Sequence, residues 1–248
     1  MNIKGGRALY NGIAFTSKNN KAIGVIDENG ESIIKIQERI IHKKILPKKI
    51  DKAISKLPFI RGVYFLFENK YMRIIFVISI MLSLLSNSSL VSENTHLIHL
   101  LIFFEAVFSI IILIILIKHF IKYKHVIAFH GAEHKVANTL WDKRELTLNE
   151  VRKSSRISEH CGSNLVIFWM VCQLLLLPFN FPEVLDILLG FSIAYELFKI
   201  KNGHKKPIIS LFYKIGAFLQ EKIVTREPND KQIELAILIV QSLQKVEK

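Results

Sequence analysis

Cysteine is nearly missing from this chain: Cys161 and Cys172 are the two among 248 residues, too few for a disulfide framework. Acidic residues are also scarce, 21 Asp+Glu against 34 Lys+Arg, which leaves a formal net charge of +13. In a soluble domain that excess would suggest nucleic acid. Here the apolar residues gather in long stretches that hold no Lys or Arg, and the basic residues collect at the ends of those stretches. No apolar segment follows Met1-Asn2-Ile3-Lys4-Gly5-Gly6, so no signal peptide is expected. Low-complexity tracts are lacking as well, and the chain has no internal repeat beyond the pairing of its apolar runs.

Four apolar runs are present. Ile74 to Ser92 carries no charged residue, and Leu97 to Ile117 is broken only by Glu105. Leu165 to Phe181 contains Gln173, and the shorter Val184 to Phe198 contains Asp186 and Glu196. Runs of this length suit helices across a hydrocarbon core of roughly 30 Å, the fourth being short enough to be re-entrant or buried instead. Lys70 and Arg73 precede the first run, and Lys118, Lys122 and Lys124 follow the second. Arg152, Lys153 and Arg156 precede the third, and Lys199, Lys201, Lys205 and Lys206 follow the fourth. The loops Asn87 to Thr95 and Pro178 to Glu183 hold no Lys or Arg, so the positive-inside rule predicts two helical hairpins with both termini cytoplasmic. Cys161 then falls on the cytoplasmic side and Cys172 in the membrane, which makes a bridge between them unexpected. The positive charge is assigned to orientation and to anionic-lipid contacts, with no nucleic-acid partner.

The expected fold is a mostly α membrane protein of four spans with a small α+β cytoplasmic domain. Its segments are a β-rich 1–70, a hairpin at 71–117, a cytoplasmic 118–164, a hairpin at 165–198 and a cytoplasmic 199–248. Within the first segment, Ala22 to Asp27 and Ser32 to Gln37 are β-prone runs joined by Glu28-Asn29-Gly30-Glu31, a hairpin signal because Asn-Gly accepts positive φ. Gly5, Gly6 and Gly12 mark a tight turn or a close backbone approach. Thr147 with Glu150 forms a capping box for a helix through Arg156. Asp230 to Val246 reads as an amphipathic helix with Ile233, Ala236, Ile237, Val240 and Leu243 on its packing face.

The stretch richest in chemistry is His130-Gly131-Ala132-Glu133-His134, an H-x-x-E-H order. On a helix, the two histidines project from one face and can share one metal ion. Glu133 beside them could take a proton from a water activated by that ion, as in the inverzincin order of residues. The bland alternative is a helix with two polar histidines at a membrane surface.

Several motifs together resemble a known family. Gly5-Gly6-Arg7-Ala8, Leu57-Pro58-Phe59-Ile60-Arg61-Gly62 and Phe129-His130-Gly131-Ala132-Glu133-His134-Lys135 look like motifs of the bacterial YqhQ family. Leu146-Thr147 through Ser155-Arg156, Cys161-Gly162-Ser163, Ala194-Tyr195-Glu196 and Thr225-Arg226-Glu227-Pro228 follow in the same order. The resemblance implies an integral protein of the bacterial plasma membrane, described as a metal-dependent enzyme without an established reaction. Three positions depart from the family pattern. Arg7 stands where Gln is usual, Asn11 where Glu is usual, and Ser158 where a His is usual, with His160 adjoining Cys161 instead.

A catalytic zinc takes three protein ligands and keeps a position for water. His130 and His134 supply two. Glu196, at the cytoplasmic end of the fourth run, is the first choice for the third, against a role as partner of Lys199. Cys161 is the second choice, with His160 and Glu159 as flanking candidates. Arg226 and Glu227 are expected to form a structural ion pair. Glu105 would be costly in mid-membrane unless it faces a cavity or hydrogen-bonds Gln173 or Ser109. The leading function is a membrane-embedded hydrolase with a divalent metal, zinc by preference, and Glu133 as general base. A metal-stabilised scaffold and a small transporter using Glu105 are the alternatives. The transporter lacks the Gly/Pro-interrupted helices that usually mark a transport site.

Overall fold

The computed structural model describes residues 3–39, 46–68, 124–179 and 181–247. The expected first hairpin, 71–117 with Glu105, lies outside them. The described residues are mostly helical, with one antiparallel sheet of four strands in sequential order. The strands are β1 (Gly5–Leu9), β2 (Gly12–Thr16), β3 (Asn20–Ile26) and β4 (Ser32–Glu38). The helices are α1 (Lys48–Ile54), α2 (Ile60–Glu68), α3 (helical over 124–141), α4 (Leu148–Lys153), α5 (Gly162–Leu176), α6 (Glu183–Phe198), α7 (Pro207–Leu219) and α8 (Asp230–Val246). A π turn, Gln220–Val224, follows α7. Two compact units result.

The first unit gathers three separated segments, Met1–Ile41, Ile117–Cys161 and Lys214–Lys248. Its sheet contains the β3–β4 hairpin that the Asn-Gly pair predicts. Gly30 takes φ 81°, and Asp27 Oδ1 accepts from the N–H groups of Asn29 and Glu31 at 3.0 and 2.7 Å. Helix α8 spans the expected residues, and its five apolar positions are buried. It starts at a complete capping box between Asn229 and Gln232. Its apolar face joins Ile13, Phe15 and Ala22 of the sheet and Phe129, Ala132 and Val136 of α3 in one core. Each fully buried aliphatic side chain there contributes roughly 1.5–3 kcal/mol, which holds α3 against the sheet. Gly24 permits the close approach of α8, because a Cβ there would come within 2.6 Å of Ile239. The box expected at Thr147 is only half made. Thr147 accepts from Glu150 N–H, but the Glu150 carboxylate pairs with Arg144 and Lys153, and the helix stops at Lys153, short of Arg156.

The second unit takes in His42–Leu116 and Gly162–Tyr213. Helices α5 and α6 pack together, α2 packs on α6, and Phe168, Cys172, Ala194, Ile209 and Phe212 form a core. Gly62 lets α2 approach, since a Cβ there would stand 3.1 Å from Ser192 Cα. The polar residues of the two apolar runs answer each other, Gln173 Nε2 donating to Asp186 Oδ2 at 2.9 Å. Among the described residues, Gly162–Phe179 is the one helix long and apolar enough to cross a membrane, by length and composition. The fourth run forms a helix of 16 residues, Glu183–Phe198, about 24 Å long at 1.5 Å per residue and short of a full crossing.

Candidate metal centre

Helix α3 carries His130 and His134 one turn apart, their ring centroids 4.3 Å from each other. A backbone carbonyl fixes each ring: His130 Nδ1 lies 3.1 Å from Val224 O, and His134 Nδ1 lies 2.7 Å from Arg156 O. A carbonyl oxygen only accepts, so both Nδ1 atoms carry the hydrogen and both Nε2 atoms present a lone pair. Cys161 Sγ stands 3.6 Å from His130 Nε2. The ligand atoms of His130, His134 and Cys161 all lie within 4.8 Å of one another. With zinc–nitrogen and zinc–sulfur bonds of about 2.0–2.1 and 2.3 Å, a tetrahedral site has an N···S edge of about 3.5 Å. The His130–Cys161 spacing matches that edge. These three residues could therefore hold a divalent metal, and two imidazoles with one thiolate suit zinc.

Glu133 borders the same point. Its Oε2 is 3.7 Å from His130 Nε2 and 3.8 Å from His134 Nε2. A ligand oxygen in the same tetrahedron would stand about 3.3 Å from each nitrogen, so the carboxylate borders the three donors at slightly more than that distance. Glu133 is 8% exposed, and this burial pushes its carboxyl up to about 7, with His130 opposing the shift. Gly6 of β1 makes room for it, because a Cβ there would fall 2.1 Å from Glu133 Oε1.

The surrounding chain holds this geometry through backbone carbonyls. Gly131 lets α3 press against the strand-like segment after the π turn, where a Cβ would meet Arg226 O at 2.2 Å. Arg226 N–H donates to Ile127 O at 2.9 Å, which sets the approach of Val224 to His130. On the other side Lys135, 4% exposed, donates to Arg152 O and Ser154 O at 2.8 and 2.9 Å. Asn138 donates to Ser155 O and Ile157 O, both at 2.8 Å. Lys135 and Asn138 thus clamp the loop whose Arg156 carbonyl orients His134. Gln220, fully buried, grips the backbone of Ser158 on both sides, accepting from its N–H at 2.9 Å and donating to its O at 3.0 Å. The loop then enters Cys161 at a fixed position. The positioning roles of Lys135, Asn138, Gln220 and Arg156 are not apparent from the sequence; the usable signal is the spacing of His134 and Asn138, one turn apart on one helix face.

Not every expected site residue joins the cluster. Glu196 lies in the second unit and takes no part in the His130–His134–Cys161 group: its carboxylate accepts from Phe59 N–H at 3.0 Å and from Arg61 Nε at 2.8 Å, and it pairs with Arg61 Nη2. A fork–fork pair with arginine already occupies both oxygens. His160 stacks edge-on against Trp141 at 4.3 Å, and with Glu159 it lines an open cavity outside the cluster. Ser158 Oγ accepts from His160 N–H. The ion pairs of Glu227 run to Lys135 at 2.8 Å and Arg156 at 3.5 Å, tying the clamp to the segment after the π turn. Asn11 sits in the β1–β2 turn and donates to Ile26 O at 3.3 Å.

No solved structure matches this chain. It is similar to the Uncharacterized protein YqhQ of Bacillus subtilis (strain 168), 32% identical over 124 residues, which covers 46% of this chain and 39% of that protein. The match therefore spans less than half the length of that relative. A family model matches residues 67–246, a range that includes His130, Glu133, His134 and Cys161. The chain belongs to that family, described as Protein of unknown function (DUF1385).

Proposed function

We propose that this chain is a membrane-embedded metal-dependent hydrolase working at the cytoplasmic interface of the bacterial plasma membrane. His130, His134 and Cys161 hold a divalent cation, zinc by preference, and Glu133 is the general base. The observation that carries the reading is the orientation of the two rings. Both Nδ1 atoms face carbonyls, which leaves both Nε2 atoms for a metal, and the ligand atoms of the two histidines and Cys161 lie within 4.8 Å of one another. A bound cation supplies Lewis acidity to an oxygen of water or substrate. Glu133, whose carboxylate lies 3.7 and 3.8 Å from the two imidazole nitrogens, receives the proton. His130 is the more exposed imidazole, with 22% of its side chain accessible against 3% for His134, so substrate enters from its side.

Membrane embedding draws its support from α5. An 18-residue apolar window only 22% buried leaves Met170, Leu174 and Leu175 each more than half exposed, which water would penalise and lipid would not. In this reading the four apolar runs lie in the membrane as two hairpins, the last run stopping short of a full crossing, with both termini in the cytoplasm and anionic lipid around the basic flanks. In the scaffold alternative the metal or the histidines only fix the cytoplasmic domain to the bundle, and no general base is needed. Glu133→Gln separates the two. The hydrolase reading expects metal content close to wild type with loss of whatever phenotype the gene complements, and His130→Ala and His134→Ala expect loss of both. Full complementation by Glu133→Gln, with failure of both histidine variants, would make the metal structural and replace the hydrolase by the scaffold.

A further inference from the structure

Helix α7 carries apolar residues on two faces, and the core uses one of them. Ile209 and Phe212 turn inward, with Phe168 stacked against Phe212 and Tyr213 at 5.0 Å each. Ile208, Leu211, Ile215 and Phe218 occupy another sector, about 80° wide at 100° per residue. In that sector Ile208 is 80% exposed, Leu211 58% and Phe218 59%. Spacing of three and four residues makes this a continuous stripe, which isolated surface residues would not form.

Charge identifies what the stripe faces. Lys199, Lys201, Lys205 and Lys206 lead into the helix, all exposed, and Lys214 is exposed on it. No acidic residue occurs between Glu196 and Glu221. An apolar stripe preceded by Lys201, Lys205 and Lys206, with no acidic residue near them in sequence, fits a helix lying in a membrane interface, with acyl chains against the stripe and anionic headgroups against the ammonium groups.

We infer that α7 is an in-plane interfacial helix that binds an anionic lipid surface through Ile208, Leu211, Ile215 and Phe218, with Lys205 and Lys206 on the headgroups. This rests on the membrane-embedded reading above and deepens it. Its position directly after α6 fits, since the turn through Lys199 to Lys206 brings the chain out of the last apolar run at the cytoplasmic face.

Photocrosslinking in the full chain tests it. p-Benzoylphenylalanine replaces Leu211, Phe218 or, as a reference on α5, Met170, in nanodiscs of phosphatidylglycerol or of phosphatidylcholine. Met170 should give lipid adducts in both. Leu211 and Phe218 should give them in phosphatidylglycerol, with yields falling about fivefold or more in phosphatidylcholine or with Lys205→Glu/Lys206→Glu. Adducts at Met170 without adducts at Leu211 and Phe218 overturn the interfacial helix alone. Absence at all three overturns the membrane reading beneath it. Adducts to a second copy or another protein, or lipid adducts indifferent to charge, also refute the inference.

Discussion

Gly6→Ala probes the centre from a strand that supplies none of its ligands. The new Cβ would lie 2.1 Å from Glu133 Oε1 and 2.6 Å from both Cγ and Cδ. Ordinary carbon contacts are about 3.5–4.0 Å, so the carboxylate must retreat by more than about an ångström or β1 must shift. Gly6 does not have the positive φ of Gly30, so backbone strain adds nothing and the cost is overpacking, about 1–3 kcal/mol. For a chain of this size that lowers the thermal midpoint by roughly 2–4 °C per kcal/mol. A general base displaced by an ångström costs about a hundredfold in rate, so complementation should fail while metal content stays near wild type. Gly5→Ala is the control, because a Cβ there meets nothing within 4 Å. Glu133→Ala removes the colliding atoms, so the Gly6→Ala/Glu133→Ala pair should show coupling close to the whole cost of Gly6→Ala. Thermal unfolding of the four proteins in one detergent measures this. Additive midpoints, or equal effects of Gly5→Ala and Gly6→Ala, would refute the contact between β1 and the Glu133 carboxylate.

Three further outcomes follow from the same geometry. In chelator-treated protein, Glu133 has a folded pKa of about 7 against an ordinary 4.5, so the fold holds an extra proton; its contribution is complete below about 4.5 and lost as pH rises through 7. The loss is on the order of 3 kcal/mol, read by urea unfolding between pH 4 and 8, and Glu133→Gln should flatten that slope. Glu196→Gln should weaken the second unit by about 1–3 kcal/mol through its arginine partner, yet leave metal content unchanged; a drop in bound metal would restore Glu196 to the ligand set. Lys135→Met, which frees the loop that orients His134, should lower metal affinity by about 10- to 100-fold in competition with a chelator, and unchanged affinity would refute the clamp.

The parts of this structure that local chemistry encodes were legible in the sequence. Asn29-Gly30 announces its hairpin because the turn needs positive φ, and the 3.6-residue spacing of Ile233, Ala236, Ile237, Val240 and Leu243 announces α8. His130, Glu133 and His134 were legible because their spacing fixes them on one helix face. Cys161 was legible as the second choice for a third donor but not its rank above Glu196, since depth along a span does not reveal a partner: Arg61 reaches Glu196 across 135 positions, and Cys161 meets His130 across 31. The carbonyls of Val224 and Arg156 were invisible for a simpler reason, that every residue has one and only tertiary structure aims it. Thr147 and Glu150 show the limit of a motif, because Arg144 and Lys153 compete for the carboxylate that the capping box requires.

X-ray absorption at the zinc edge, on protein purified without chelators, addresses the central claim most directly. Two imidazole nitrogens at about 2.0–2.1 Å and one sulfur at about 2.3 Å are expected, with the sulfur shell lost in Cys161→Ser and the metal lost in His130→Ala and His134→Ala. A protein that carries no metal, or one whose metal has no sulfur neighbour and survives both histidine substitutions, would contradict the account.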